Sequence, residues 1–246
     1  MKTVFLAVAV LSGWLLLSSE EKKAVPDGLF AYYSFNNDSK ECLKDSISGL
    51  NIVPRKNLPS SRFQPGISGN ALELLENSTG QYICRDPRLT KLAPPFTISV
   101  WIKRYNTQIH NSIIVATASD QSPQGFELVW SWRYLVFRMG IGKGKKPFAI
   151  KSAEQILSFD AWINIAVSCD LHHASLFVDG KKVAEGKLPA DVNFVPSDGI
   201  GTAFTIGHFP TPLPVYKHVG LIDELRIYKR ALTDVEIGQV MFLAQE

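Results

Sequence analysis

The stretch GLIDELRIYKRALTDVEI, residues 220–237, indicates a strand that runs into a turn and then a helix. Its apolar residues alternate at Leu221, Leu225 and Ile227, which is the period of a strand with one buried face. Asp223 has the same parity, so the pattern predicts a carboxylate on the side that faces the core. A buried carboxylate is costly unless it is hydrogen-bonded, paired or bound to a cation. Asp223 is therefore a candidate for a special role.

The second half of this stretch predicts the one good helix of the chain. Thr233 suits an N-cap, and Glu236 three residues later completes a capping box. The apolar residues that follow recur at helical spacing and form one face: Ile237, Val240, Met241 and Ala244. No upstream strand is followed by a long amphipathic helix, so βαβ units are not expected.

Upstream, the chain consists of short segments rich in β-branched and aromatic residues, separated by Gly, Pro, Asn, Asp and Ser. The segment FTISVWIK, residues 96–103, alternates cleanly and predicts one apolar face, formed by Phe96, Ile98, Val100 and Ile102. Asp179-Gly180 suits a two-residue hairpin turn. Many short strands with a single terminal helix predict an all-β fold, a two-sheet antiparallel jelly-roll sandwich with a short C-terminal helix.

Composition and charge narrow the classes of function. Hydrophobic residues make up 46% of the 246 residues, which is enough for a real core, and the formal net charge is only +3. Binding to nucleic acid calls for a clustered basic face with aromatic stacking positions, and neither is evident. We therefore expect no nucleic acid among the partners.

The N-terminal residues have the parts of an export signal. The positive start Met1-Lys2 precedes the apolar run VFLAVAVLSGWLLL, residues 4–17, and small residues follow. The run is shorter than the roughly 20 residues of a comfortable membrane span. We expect residues 1–23 to be a signal peptide, or alternatively an uncleaved anchor that attaches the protein to a membrane. Residues 24–246 would then form one domain that is secreted or held at the cell surface or in the periplasm.

If the protein is exported, two of its three cysteines could form a disulfide in an oxidising compartment. Cys169 shares a parity with Ile163, Ile165 and Val167, so it is expected to be a buried thiol. Cys42 and Cys84 remain as candidates for a disulfide in an oxidising compartment. Two reduced thiols are the alternative, because sequence does not show whether the two residues approach each other.

Several segments, taken in order, resemble one family. The segments GLFAYYSFNND (28–38), QPGISGNALEL (64–74), FTISVWIK, WINIAVSCDLHHASLFVDGKKV (162–183) and GLIDELRIYKRALTDVEI are similar to motifs of LamG-like jelly-roll domains. These domains belong to the concanavalin A-like lectin/glucanase superfamily. The resemblance extends from Gly28 to Phe242 and implies a sandwich of two antiparallel sheets. It implies no particular chemistry, because one fold hosts many functions.

The resemblance also bears on Asp223. In this family the first and last strands lie near each other, and some similar domains hold a structural calcium there. Calcium takes six to eight oxygen ligands, and the turn at residues 36–38 offers several. We therefore predict a calcium clamp formed by Asp223 with Asn36 and Asp38. The alternatives are that Asp223 accepts backbone N–H groups from a loop or pairs with an arginine.

Catalytic motifs are not evident in the sequence. Glycoside hydrolases need two carboxyl groups aimed at one bond. Asp223 and Glu224 are adjacent and are expected on opposite faces of a strand, and Glu127 stands alone. The G-x-S-x-G elbow of serine hydrolases is missing. We therefore expect a non-catalytic protein; a divergent glycoside hydrolase-like enzyme and a structural domain of a cell-envelope assembly are the alternatives.

The segment WSWRY, residues 130–134, is the strongest recognition feature. It predicts a tight reversal between two strands, with Trp130, Trp132 and Tyr134 of equal parity. A flat ring that stacks on a sugar face, with Arg133 beside it, suits carbohydrate. We predict a ligand site at Trp132, Arg133 and Tyr134 for a glycan or an extracellular protein. In the alternative, Trp130 and Tyr134 pack inside the sandwich and only Trp132 is exposed.

Overall fold

The computed structural model describes residues 25–36, 42–54, 62–76, 82–107, 109–119, 122–154, 159–190, 193–198, 202–211 and 215–243. The predicted export segment 1–23 and the predicted calcium ligand Asp38 lie outside the described residues. The described strands form two antiparallel sheets packed as a sandwich, which confirms the predicted fold class.

Fifteen strands are described. In chain order they are β1 (Leu29–Tyr33), β2 (Val53–Pro54), β3 (Arg62–Pro65), β4 (Asn70–Leu74), β5 (Tyr82–Cys84), β6 (Phe96–Arg104), β7 (Asn111–Ala116), β8 (Phe126–Ser131), β9 (Tyr134–Met139), β10 (Phe148–Lys151), β11 (Trp162–Cys169), β12 (His173–Val178), β13 (Lys181–Lys187), β14 (Phe204–Ile206) and β15 (Gly220–Tyr228). The helices are α1 (Pro87–Thr90) and α2 (Asp234–Phe242). Neither helix has the length and apolar content needed to cross a membrane, and these are the helices of the described ranges.

The strand order places the last strand near the middle of one sheet. The first sheet has eight strands in the order β13-β12-β11-β6-β15-β4-β3, and β1 pairs with β15 off this path. The second sheet has seven strands in the order β10-β9-β8-β7-β14-β5-β2. One side of β15 is paired with β6, and its other side is shared by β4 and β1.

The main core lies between the two sheets. The alternation predicted for β6 is confirmed, since Phe96, Ile98, Val100 and Ile102 all face this core and are fully buried. The ring of Phe96 packs on that of Phe126 from the second sheet, with a centroid separation of 5.3 Å. Where a strand is regular, alternate residues face the other sheet, and the residues between them cover the outer face.

Helix α2 covers part of the outer face of the first sheet. Its capping box is present, since Thr233 Oγ1 accepts the Glu236 N–H and Glu236 Oε2 accepts the Thr233 N–H. Ile237 and Val240 of the helix are fully buried. They join a cluster with outward-facing residues of the first sheet, Ala166, Phe177 and Tyr228. The predicted cap is confirmed, and so are two of the four residues of the predicted buried face. Met241 is half-buried, and Ala244 lies outside the described residues.

A β-bulge in β15 overturns the face predicted for Asp223. The register advances from Asp223 opposite Trp101 to Arg226 opposite Ser99, so β15 carries an extra residue there. Glu224 sits in the bulge with a φ of 53°. As a result Leu225 faces the inter-sheet core, while Asp223 shares the outer face with Trp101. The predicted alternation was wrong because a bulge shifts the period by one residue.

The predicted Cys42–Cys84 disulfide is not formed. Cys84 ends β5, and Cys42 precedes Leu43, which forms an isolated bridge with Ile52. The strand β2 follows Ile52 and pairs with β5, so a strand separates the two cysteines. Neighbouring strands lie about 4.8 Å apart, which puts residues two strands away beyond the reach of a disulfide. Cys169 is fully buried, as predicted.

Candidate functional site

A two-residue loop at the end of the second sheet carries the predicted ligand residues. Strands β8 and β9 pair up to Ser131 opposite Tyr134, which leaves Trp132 and Arg133 as the loop. Trp132 has a φ of 56°, in the left-handed region that tight hairpin loops require at their first position. Its backbone N–H donates to the carbonyl of His110, at 2.9 Å, which ties the loop to the segment before β7.

The side chain of Trp132 stands outside the protein. It is 62% exposed. Its indole ring lies against the imidazole of His110, with ring centroids 4.3 Å apart and planes 10° apart. One face of the indole is therefore covered by His110, and the stack restricts the ring before any ligand arrives.

The three aromatic residues of this segment do not share one face. Trp130 is fully buried in the inter-sheet core, and its Nε1–H donates to the carbonyl of Trp132 at 3.2 Å. Tyr134 lies on the outer face, because a two-residue loop places Ser131 and Tyr134 opposite each other on the same side. The predicted equal parity was wrong for this reason. The alternative was right for Trp130, and Tyr134 is partly buried on the outer face rather than between the sheets.

Charged groups surround the loop. Arg133 forms an ion pair with Glu154, with 2.5 Å between Nη1 and Oε1, and the two side chains are 69% and 48% exposed. Lys151 of the neighbouring strand β10 holds its ammonium group 4.0 Å from the centroid of the Tyr134 ring. We name His110, Trp132, Arg133, Tyr134, Lys151 and Glu154 the hairpin edge. His110, Lys151 and Glu154 were missed in the sequence because they come from other strands.

An apolar cluster on the outer face supports the hairpin edge. Tyr134 and Tyr216 pack against Ile113, Ala116, Val129, Val136 and Phe209. The rings of Phe209 and Tyr216 lie 5.5 Å apart. Burial of a cluster of this kind fixes the outward side of β7, β8 and β9, so the loop projects from a rigid base.

His218 anchors the start of β7 to the start of β15. Its Nε2–H donates to the carbonyl of Leu221 at 3.1 Å, which leaves Nδ1 to accept from the hydroxyl of Ser112 at 2.6 Å. Burial, assisted by the charge of Arg104, lowers the pKa of His218 to about 3. The imidazole is therefore neutral at physiological pH, and its two nitrogens link Leu221 to Ser112, which lies two residues from His110.

Asp223 holds the loop between β3 and β4. Its Oδ2 accepts from the backbone N–H groups of Ile67 at 2.8 Å and Ser68 at 3.3 Å, and its Oδ1 accepts from that of Glu224 at 2.8 Å. Burial and the charge of Glu224 raise the pKa of Asp223 to about 7, against the effect of these N–H groups. A Cβ at Gly66 would clash with Oδ2, so the loop and the carboxylate fit closely. This is the N–H acceptor role given above as an alternative.

The predicted calcium ligands come together only in part. Asn36 lies at the same loop, where its Oδ1 accepts from the backbone N–H of Asn70 at 2.6 Å. Each described oxygen of the clamp is thus already in use as a hydrogen-bond acceptor. Among the described ranges, no group of three or more His, Cys, Asp and Glu side chains is placed to hold a metal ion. The calcium clamp stays a prediction, since Asp38 lies outside these ranges.

Glu224 lies on the same outer face as Asp223, which corrects the expectation that the two carboxylates diverge. It accepts from the hydroxyl of Tyr32, at 2.8 Å to Oε1, and from Arg226, at 2.5 Å to Oε2. Burial, together with the nearby carboxylate, raises the pKa of Tyr32. Asp223 and Glu224 are at most 1% exposed. Both carboxylates are occupied by partners within the chain and closed off from solvent.

The fold and the hairpin edge together define a class, the two-sheet β-sandwich with an exposed aromatic loop. The family model Laminin_G_3, described as the concanavalin A-like lectin/glucanases superfamily, matches residues 77–238, which is more than half of the chain. The chain belongs to this family. A comparison with curated protein sequences gives no match.

Solved structures share the fold. Domain 4 of AbnA, a GH43 extracellular arabinanase from Geobacillus stearothermophilus in complex with arabinotriose, is 20% identical with a TM-score of 0.59, covering 87% of this chain and 98% of that one. The binding domain of botulinum neurotoxin DC in complex with SialylT is 14% identical with a TM-score of 0.67, covering 90% and 53%. The binding domain of Paraclostridial Mosquitocidal Protein 1 is 16% identical with a TM-score of 0.65, covering 87% and 51%. The chain spans about half the length of the two toxin domains.

Proposed function

We propose that this protein is a non-catalytic binding module that recognises a glycan through the hairpin edge. The observation that carries the proposal is the exposed indole of Trp132, held on His110 at the tip of a rigid hairpin. An indole offers a large flat apolar surface, and a sugar ring packs its C–H face against such a surface while its hydroxyl groups reach polar neighbours. Arg133, Glu154 and Lys151 are the polar neighbours available here.

The backbone at Trp132 supports a functional reading. A bulky residue in the left-handed region is strained by roughly 1–3 kcal/mol, and glycine or asparagine would relieve this strain. Packing does not account for the choice of tryptophan, because most of the side chain is in solvent. Recognition of a ligand is the role that uses both the exposure and the restricted position of the ring.

The structural relatives are compatible with this proposal. The arabinanase domain was solved with arabinotriose, and the binding domain of botulinum neurotoxin DC was solved both with SialylT and with rat synaptotagmin II, which is a protein. We choose the glycan because the hairpin edge exposes one stacked aromatic ring among charged groups rather than a broad apolar patch of the kind protein partners use. A protein ligand is an outcome that the test below distinguishes.

We do not assign a catalytic role to the buried carboxylates. The buried pair Asp223 and Glu224 is engaged with backbone N–H groups, Tyr32 and Arg226. A carboxyl group that acts on a glycosidic bond must reach that bond, and these two do not face solvent. Hydrolysis of oligosaccharides by the purified chain, lost in a Glu224→Gln variant, would contradict this part of the proposal.

We also propose that the module works outside the cytoplasm, on the strength of the export pattern in residues 1–23. Fractionation of cells that express the full chain tests this. The protein is expected in the medium, at the cell surface or in the periplasm, and a wholly cytoplasmic protein of uncut mass would contradict it.

The decisive experiment is a glycan array probed with residues 24–246 and with two variants. Trp132→Ala removes the exposed indole and is expected to weaken binding at least about 30-fold, the loss of roughly 2 kcal/mol that a central tryptophan contributes. Val235→Ala is the control, because it removes an exposed apolar side chain from α2, on the opposite side of the sandwich. Equal loss in both variants, or no loss in either, would refute the site. A further outcome is that the array gives no glycan signal while the parent chain, but not Trp132→Ala, captures a protein. That result would show that the ligand of the hairpin edge is a protein and not a glycan.

A further inference from the structure

The charges of the hairpin edge do not balance. Arg133 and Lys151 contribute two positive charges, and Glu154 contributes the one carboxylate of the edge. The Lys151 ammonium group rests on the Tyr134 ring, and no ion pair joins it to a carboxylate of the described residues. A cation over an aromatic face remains open on its other side to an anion. The edge therefore has a cation available beside the exposed indole.

The second cation of the edge is held by a weak partner. The Arg133–Glu154 pair is largely exposed. Exposed ion pairs contribute little to stability because water and salt screen them. A guanidinium group binds a carboxylate with two parallel N–H groups, so a ligand carboxylate competes well for Arg133. The Arg133 guanidinium interacts electrostatically with Tyr134, whose ring carries the Lys151 ammonium, so both cations lie near the same aromatic residue.

We propose that the hairpin edge is specific for a carboxylated sugar, such as a uronic acid residue within a glycan. The sugar ring stacks on the open face of Trp132, and its carboxylate lies between Lys151 and Arg133. A neutral sugar obtains the stacking interaction and hydrogen bonds of its hydroxyl groups but no ion pair, and a cationic sugar meets two like charges. This inference rests on the proposed function, since it assigns the ligand class of the same site.

The test uses a matched pair of probes, a uronic acid hexasaccharide and the same hexasaccharide with every carboxyl group reduced to an alcohol. We expect the parent chain to bind the acidic form about 10-fold more tightly at 20 mM salt. Raising the salt to 500 mM should remove most of this preference, because exposed charges are then screened. Calorimetric titration with both probes at both salt concentrations measures the ratio.

Two charge variants separate this inference from a merely basic surface. Lys151→Gln should reduce the preference for the acidic probe to less than about 3-fold, because the acidic probe loses its ion pair and therefore loses more affinity than the reduced probe. Glu154→Gln should have the opposite effect and raise affinity for the acidic probe, because the probe carboxylate no longer competes with Glu154 for Arg133. Lys145→Gln, which removes an exposed lysine between β9 and β10 at the end remote from the loop, should alter neither ratio.

The outcomes distinguish the two proposals. Equal affinity of the parent chain for both probes, with both lost in Trp132→Ala, would overturn the acidic specificity and leave the glycan-binding function intact. Binding restricted to neutral glycans of the array would do the same. No binding of any glycan would overturn both. An acidic preference that Lys145→Gln reduces as much as Lys151→Gln would also overturn the assigned site.

Discussion

Acid should destabilise this protein through His218. Its imidazole is buried and neutral, with both nitrogens in hydrogen bonds to Ser112 and Leu221. The pKa is about 3 in the folded chain against an ordinary 6.5. A base with a lowered pKa binds fewer protons in the folded state than in the unfolded state below pH 6.5. The stability that depends on neutral His218 is therefore complete above about pH 6.5 and is lost as the pH falls below it.

The size of the effect follows from the shift. Each pH unit between the two pKa values costs up to about 1.4 kcal/mol, so His218 alone removes about 2 kcal/mol from the free energy of unfolding between pH 7 and pH 5. His208 has a pKa lowered to about 4 by burial, assisted by the charge of Lys217, and contributes about the same amount. Together the two histidines should remove about 4 kcal/mol. Protonation of Asp223, whose pKa is raised to about 7, stabilises the folded chain over the same interval and offsets about half of this loss.

Urea unfolding followed by tryptophan fluorescence, at pH 5 and at pH 7, measures this loss. The informative variant is His218→Gln, whose amide offers an acceptor and a donor but does not titrate. The variant is expected to lose stability at pH 7, yet its further loss on going to pH 5 should be about 2 kcal/mol smaller than that of the parent. His172→Gln, at an exposed turn, is the control and should keep the parent's pH dependence. An unchanged pH dependence in His218→Gln would refute the reasoning.

Three further predictions concern other parts of the fold. A chelator should lower the melting temperature of the parent chain but not that of Asp223→Asn, as expected for an ion held only by the folded state; equal melting of the parent with and without chelator would contradict the calcium clamp. Thr233→Ala should lower the free energy of unfolding by about 1 kcal/mol through loss of the cap of α2, while Thr233→Ser should not, and equal losses would argue against the capping role. Cys42 and Cys84 should both react with a thiol reagent in denaturant after purification without reductant; protection of both thiols would show that they pair after all.

The regular parts of the fold were predictable because their signals are local. Strand β6 carries its pattern in eight consecutive residues, and its core-facing residues are those that the alternation indicates. Helix α2 carries both its cap and its buried face within a few turns. In each case neighbours in the sequence decide the conformation, so no knowledge of the other strands is needed.

The bulge at Glu224 was not predictable in this way. A residue with positive φ is usually marked by glycine or asparagine, and here a glutamate occupies the position. What holds it is supplied by other elements: Tyr32 of β1 and Arg226 of β15 bind its carboxylate. The bulge changes which residues of β15 face the core, and it depends on these tertiary contacts. The sequence of β15 alone therefore does not show that Asp223 lies on the outer face.

The loop residues of the candidate site were predictable from the sequence, but the residues that surround the loop were not. Trp132 and Arg133 stand in a segment whose composition predicts a tight reversal, and the reversal is present. His110 and Glu154 meet this loop only through the pairing of β7, β8, β9 and β10. No spacing in the sequence indicates such a meeting, because strand order sets it.

The position of β15 has a consequence for how the chain acquires its structure. The last of the described strands lies between strands made much earlier, with β6 on one side and β1 and β4 on the other. Until the ribosome has released residues 220–228, the described strands of the first sheet form three separate parts, which are β13-β12-β11-β6, β4-β3 and the lone strand β1. Contacts such as that of Tyr32 with Glu224, 192 residues apart, close the sheet at a high entropic cost and make folding slow. A nascent chain that lacks β15 therefore has an incomplete first sheet, and a premature stop before Gly220 should leave an insoluble product.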